Sequence, residues 1–347
     1  MLKAQWQSTI KSFNDHSVVP TDEWDKNTKV NLKRFHASNG IWKLHRCFVS
    51  PNDKAVVIVG ASPCLKRDAE KLKDCNDDFC VCVVNAALKY VLKKGVKPSY
   101  VVALDSDTHD IYEHLDVDSK DLKLIASSTL SPKVLRHWKG EVIFMPYFGM
   151  KAELRPLVRS RLGKAIPVGG NALGTMVSMA TQVFGSRIII LVASECCYDK
   201  HYYHDKTIAR NNIQPTEFYV KDINGKQRIT TATLHTYKLW LERYALEGHP
   251  MIKIIDTSVG ILGKRDDKSY IYTYELSEII NKVKEASNKK REMINANPEL
   301  LNQPLYSQDA KRGVPAEGSR ADVRGMLPVC GARGTGVSEM RAASNNG

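Results

Sequence analysis

The stretch AVVIVGASPCLKRDAEKL, residues 55–72, decides the fold. Ala55 to Val59 form an unbroken apolar run, followed by Gly60-Ala61-Ser62-Pro63 and then a charged, helix-prone segment. A continuous run of this kind suits a strand covered on both faces, as in a parallel sheet. Glycine with small residues lets the backbone come close to something bulky, and the helix start beyond directs unpaired N–H groups at it. A phosphate is the group most often held there. An ordinary strand-to-helix turn needs no ligand, and one glycine falls short of a dinucleotide fingerprint.

The same alternation continues outward. Apolar runs at 55–59, 79–84, 100–104, 123–126, 141–145, 187–193 and 251–255 predict strands, several of them near-continuous Val/Ile/Leu. Helical patterns lie between them at 65–73, 86–94, 132–138, 172–184 and 233–247. Strand–helix–strand alternation predicts an α/β, Rossmann-like, doubly wound and mostly parallel sheet with helices on both faces. Ligands of such sheets bind beyond the carboxyl ends of the strands, so residues at strand ends matter most.

Length and composition bound the rest. The chain has 347 residues, a hydrophobic fraction of 43% and a formal charge of +13. That supports a real core and invites an anionic partner. The cations are dispersed in pairs such as Lys93-Lys94 and Lys289-Lys290, without zinc-finger spacing or an aromatic-rich RNA signature, so no specific nucleic acid is expected. Cys64, Cys75, Cys80, Cys82, Cys196 and Cys197 sit in or beside apolar runs and read as reduced core thiols. The start MLKAQWQSTIKSF has no signal-peptide core, and no run approaches ~18 apolar residues. A cytoplasmic protein without a membrane span is expected. Residues 1–50 read as a polar, partly helical extension packed on the main domain, 51–290 as the Rossmann-like main domain, and 291–347 as a flexible Gly/Ala/Ser/Arg-rich tail.

Further strand ends carry polar residues. Asn85 follows the second run and either caps a helix or reaches a base or ribose. Asp105-Ser106-Asp107 follows the third, where two carboxylates suit Mg²⁺ held through nucleotide phosphates, or a helix cap beside a solvated acid. PVGGNALGT, residues 167–175, places Gly169-Gly170-Asn171 at a helix start and makes a second anion cradle. SECCYDKHYYHD, residues 194–205, crowds Glu195, Tyr198, His201, Tyr203 and His204 at another strand end, either as acid–base groups or as a solvated loop with aromatic anchors. Asn224-Gly225 marks a turn between two short extended pieces, ahead of a long amphipathic helix.

The order of VIVGASPCL, VVNAALKYVLKKGVKPSYVVALD, VGGNALGTMVSMATQVFGSRIIILVASE, VKDING…TTATLHTYKLWLE and IIDTSVGILG resembles the 6-hydroxymethylpterin diphosphokinase MptE-like family, which includes motility accessory factors. It is similar, more distantly, to bacterial sialyltransferases of Rossmann-like architecture. The resemblance implies nucleotide contacts at Gly60, Ala61, Ser62, Pro63, Asn85, Gly169, Gly170, Asn171, Tyr198 and Tyr203. In its diphosphokinase form, ATP phosphates lie over both glycine turns and Mg²⁺ is held by Asp105 with Asp107. A pterin hydroxymethyl group then attacks the β-phosphorus, leaving AMP, with Glu195, His201 or His204 as base. In its glycosyltransferase form, the same turns hold a CMP-activated nonulosonic acid without metal. Ala61, Cys64 and Glu195 depart from the family's residues, which also motivates a non-catalytic nucleotide-binding module.

Overall fold

The computed structural model describes residues 21–45, 54–75, 77–104, 114–147, 151–205, 216–263 and 270–297. Its strands are β1 (Ala55–Val59), β2 (Phe79–Val84), β3 (Tyr100–Ala103), β4 (Lys123–Ser127), β5 (Glu141–Met145), β6 (Ile188–Val192), β7 (Glu217–Lys221), β8 (Gln227–Thr231), β9 (Lys253–Asp256) and β10 (Ile271–Thr273). Its α-helices are α1 (Thr21–Asn31), α2 (Leu65–Asp68), α3 (Asn85–Lys93), α4 (Pro132–His137), α5 (Arg155–Leu162), α6 (Ala172–Gln182), α7 (Ala232–Gly248) and α8 (Leu276–Ala296).

Eight of the strands form one sheet in the order β10-β9-β6-β1-β2-β3-β4-β5, and every pairing in it is parallel. β1, β2 and β3 are buried at every residue, as their unbroken apolar sequences require. Side chains alternate across the sheet. Val101, Ala103, Leu124, Ala126 and Phe144 join one core cluster, while Val102, Ile125, Ile143 and Met145 join the other. The sheet is therefore covered on both faces, and the doubly wound expectation holds. β7 and β8 form a separate antiparallel hairpin around the turn at Asn224-Gly225, with Gly225 at φ +81°.

The order of the strands sets where a ligand can enter. From β1 the chain steps outward through β2, β3, β4 and β5, then returns over the sheet through α6 to lay β6 on the other side of β1. The direction of winding reverses between β1 and β6. In sheets of this kind a crevice opens at that reversal, beyond the carboxyl ends of the two strands.

Residues 21–45 pack against the β4–β5 side. The buried Asn31 amide donates to the carbonyls of Ser128 (3.2 Å) and Leu130 (2.8 Å), and Asn27 donates to Thr129 (3.1 Å). Phe35 meets Phe144 at 4.9 Å between ring centroids, and Gly40 bridges to Phe144. This covers part of an otherwise bare sheet edge.

Several element boundaries differ from the sequence reading. The helix expected over 65–73 is α-helical only to Asp68 and continues as a 3-10 turn over Ala69–Asp74. The expected strand 251–255 begins at Lys253 and gains Asp256. α5, α8 and β10 were not anticipated, and α8 runs to Ala296, past the boundary placed at residue 290. Among the described residues no helix is long and apolar enough to cross a membrane.

Asn31→Ala removes two buried hydrogen bonds and leaves two carbonyls without their donor, which predicts a loss of about 2 kcal/mol in denaturant unfolding.

Candidate functional site

The crevice is built around one close approach. A Cβ added to Gly60 would lie 2.3 Å from the Ala193 carbonyl oxygen and 3.2 Å from Leu173 Cδ1. Only glycine lets the end of β1 lie this close to the end of β6. Backbone bonds close the contact: Gly60 N–H donates to the Val192 carbonyl (2.8 Å) and Ser62 N–H to the Ala193 carbonyl (3.2 Å). Ala193 takes φ +54° and Cys196 φ +53°, left-handed conformations that non-glycine residues adopt at a cost.

These contacts correct the expectation of an open phosphate turn at Gly60, Ser62 and Pro63, while the Ala61 N–H has no acceptor among the described residues. The Gly60 and Ser62 amides are spent on β6, and Pro63 has none to give. The Ala61 carbonyl accepts from the His204 amide at 2.8 Å. The next amide, Cys64 N–H, donates to Glu195 Oε2 at 3.0 Å. A carboxylate of the chain itself thus sits where an anion was expected.

Glu195 is 3% exposed, and its other oxygen accepts from Arg228 Nη2 at 2.8 Å. Arg228, on β8, also faces Asp199 (3.2 Å) and Asp222 (3.9 Å). A buried carboxylate held from two sides is a strut between the strand ends and the hairpin, so the expected role of Glu195 as a base is corrected to a structural one. The loop after β9 closes on the same residue. A Cβ on Gly260 would lie 2.2 Å from the Glu195 carbonyl oxygen, and Ile261 N–H donates to that oxygen at 3.0 Å.

The second cradle is open. Gly169 (φ +53°) and Gly170 (φ +77°) turn the chain into α6, and a Cβ on Gly169 would lie 2.9 Å from both Gly174 Cα and the Trp240 ring. Asn171 caps α6 by accepting from Gly174 N–H at 2.7 Å. The amides of Gly170, Ala172 and Leu173 have no acceptor among the described residues, and all three residues are half-buried. α6 is long enough for its dipole and these free N–H groups to act together on an anion. Leu173 touches the Gly60 turn, so this helix start lies at the crevice itself.

Asn85 follows the end of β2, the strand paired with β1. It is not the cap of α3, a position held by Val84, and its half-buried amide has no partner among the described residues. His204 is buried against Ala61, its Nδ1 lying 3.2 Å from that carbonyl, and its ring meets Tyr90 at 4.9 Å. A carbonyl can only accept, so the neutral ring carries its proton on Nδ1 and leaves the Nε2 lone pair for a donor. Burial pushes the imidazole below its ordinary pKa, which keeps it neutral.

The remaining expected residues fall elsewhere. His201 is exposed. Tyr198 is 4% exposed, and its hydroxyl donates to Glu217 at 2.6 Å, away from a phosphate role. Tyr203 is half-buried, in an edge contact with Tyr202 at 4.7 Å. Asp105 and Asp107 lie outside the described residues. Among those described, no group of three or more His, Cys, Asp or Glu side chains is placed to hold a metal.

Two buried acids beside the crevice were missed. Asp68 is fully buried and is gripped by both Arg67 Nε (2.9 Å) and Arg67 Nη2 (2.6 Å). Asp256, at the end of β9, is fully buried and accepts from Ser258 Oγ at 2.7 Å, while its Oδ2 has no partner among the described residues. Burial is the largest influence on Asp256 and, with Glu195 and Asp68 nearby, pushes its pKa to about 8. The rule that singled out Asp105, a carboxylate ending a strand, would have found it. The six described cysteines are free; burial drives Cys64 and Cys196 far up and Cys197 to about 12, so these are not thiolates at neutral pH.

A doubly wound parallel sheet with an open helix start at its switch point defines a protein of the Rossmann-like α/β class. The family model described as 6-hydroxymethylpterin diphosphokinase MptE-like matches residues 26–200, and the chain belongs to that family. No curated protein matches the chain. Among solved structures, the Maf glycosyltransferase from Magnetospirillum magneticum AMB-1 superposes with a TM-score of 0.54 at 16% identity. The match covers 78% of this chain but 41% of that one, so the chain spans well under half of its relative's length, and the likeness is one of fold.

Glu195→Ala leaves buried Arg228 without its nearest counter-ion and predicts a loss of about 3 kcal/mol in denaturant unfolding. Glu195→Gln keeps an acceptor for Cys64 N–H and is predicted to lose less. Asp256 has a native pKa raised above its unfolded value, so folding holds an extra proton between about pH 4 and pH 8, and stability falls as pH rises through that window. Asp256→Asn removes this dependence. Its gain in melting temperature over wild type is expected to grow from pH 4 to pH 8 and to level off above.

Proposed function

We propose that the chain is a nucleotide-dependent transferase whose nucleotide lies in the β1/β6 crevice, phosphate against the start of α6. The observation that carries this reading is the set of amides at Gly170, Ala172 and Leu173, with the Asn85 side chain at the end of β2, none of which has a partner among the described residues. Free N–H groups at a helix N-terminus favour a phosphate, and an amide side chain at the next strand end suits a base or ribose.

The family description supports diphosphate transfer from ATP to a pterin-like acceptor. Asp105 and Asp107, beyond the end of β3, would hold Mg²⁺, which offsets the charge on the transferred group when bound. His204, neutral with Nε2 unprotonated, would take the proton from the attacking hydroxyl.

A second reading rests on a specific observation. The β1 turn is closed by Glu195, so one anion cradle remains where two were expected. One cradle matches the single phosphodiester of a CMP-activated nonulosonic acid better than a triphosphate chain, and a sugar-transferring protein of similar fold supports that reading.

Isothermal titration with ATP–Mg²⁺ and with CMP tests both readings. Ala172→Pro deletes one open N–H at the first helical position, where proline is tolerated, and the extended Asn171 before it (φ −148°, ψ 172°) accepts a following proline. Affinity for the true donor is expected to fall about tenfold in Ala172→Pro and in Asn85→Ala, with the melting temperature unchanged. No heat with either nucleotide would discard the transferase reading. Binding undiminished in both variants would move the nucleotide out of this crevice.

A further inference from the structure

The nucleotide crevice does not use the cations on the opposite flank of the sheet. Beside the β5 edge, a cleft of about 320 Å³ opens between α5 and the segment carrying Gly40 and Trp42. Arg159, Arg161 and Lys164 line it, together with Ser160, and none of its lining residues is acidic. Arg159 makes no ion pair among the described residues, whereas the exposed carboxylates Glu141 and Asp22 are each paired to a lysine. Arg161 donates to the Leu32 carbonyl. Ser160 spends its proton on Leu157 (2.9 Å).

The floor is apolar and firmly held. The Trp42 indole N–H donates to the Lys164 carbonyl at 2.7 Å, and the Lys164 ammonium lies 5.0 Å from the ring centroid. Gly163 takes φ +86°, and a Cβ there would lie 2.6 Å from Trp42 Cδ1, so the turn after α5 is shaped to the indole. Leu162, nearly fully buried, completes the floor. Nearby on this edge, Arg34 lies over Phe144 and has Arg136 as a like-charged neighbour.

A cleft of this size takes a body of small-metabolite dimensions. Guanidinium forks without an acid among them match a phosphate, and the indole and leucine match an apolar or ring-shaped body. We infer that this cleft is a second ligand site, for a small organic phosphate whose body rests on Trp42 and Leu162 and whose phosphate lies between Arg159 and Lys164. The site is independent of the nucleotide reading, since it shares no residue with the α6 start.

Phosphorus NMR titration of the full chain with phenyl phosphate, and separately with inorganic phosphate, tests it. Phenyl phosphate is expected to bind more tightly than inorganic phosphate. Arg159→Gln and Lys164→Gln, both at exposed side chains, are each expected to weaken it about tenfold at unchanged melting temperature, while Ala172→Pro leaves it intact. Binding lost in Ala172→Pro but retained in the two cleft variants would assign the phosphate to α6 and overturn the inference. Equal affinity for the two probes, or no binding by either, would overturn it as well.

Discussion

The contact between the turn after β1 and the turn after β6 governs the rest of the structure. It leaves no room for a side chain at Gly60, and it spends two backbone amides that a phosphate would otherwise receive. It forces Ala193 into a left-handed conformation, which turns the chain so that Glu195 enters beneath the β1 turn and meets Cys64 N–H. A turn that looks like a ligand cradle is thereby converted into a joint. The start of α6 is adjacent, and its amides are not drawn into the joint.

Bringing strand ends this close also buries acids, and the chain stabilises three of them in three ways. Glu195 is ion-paired from the hairpin by Arg228. Asp68 is held by a two-pronged guanidinium one residue away, a geometry that satisfies both oxygens. Asp256 has hydroxyl and amide donors on one oxygen and none on the other, and it stays protonated instead. The difference follows from donors. Where no cation reaches it, a buried carboxylate takes up a proton more readily, as at Asp256.

What the sequence discloses tracks how local the determining interaction is. β1 and β2 were legible to the residue because both lie wholly inside, so apolar runs and strands coincide. The hairpin was legible from Asn224-Gly225. α8 was not, because only a thin stripe including Leu276, Ile279 and Ile280 is buried and the other faces are charged. In the site, the open start of α6 was legible because Gly169-Gly170-Asn171 states it locally. The closure of the β1 turn was not, since it depends on Glu195, 131 residues from Cys64, and on Arg228 a further 33 residues on. Glycine reports that something comes close; it does not say whether that something is a ligand or the protein's own backbone.

The family match ends at residue 200, while the strut that closes the β1 turn is completed from β8 and the loop after β9. The shared region thus supplies six of the eight strands of the sheet, β1 to β6, with the α6 start, Asn85 and Glu195. The segment beyond it supplies Arg228 and the Gly260 approach that hold Glu195 in place. Without Arg228, Glu195 would be a buried carboxylate that had lost its salt-bridge partner, a costly arrangement. The contacts that close the β1 turn thus lie inside the matched region, whereas the cation that holds Glu195 lies beyond it.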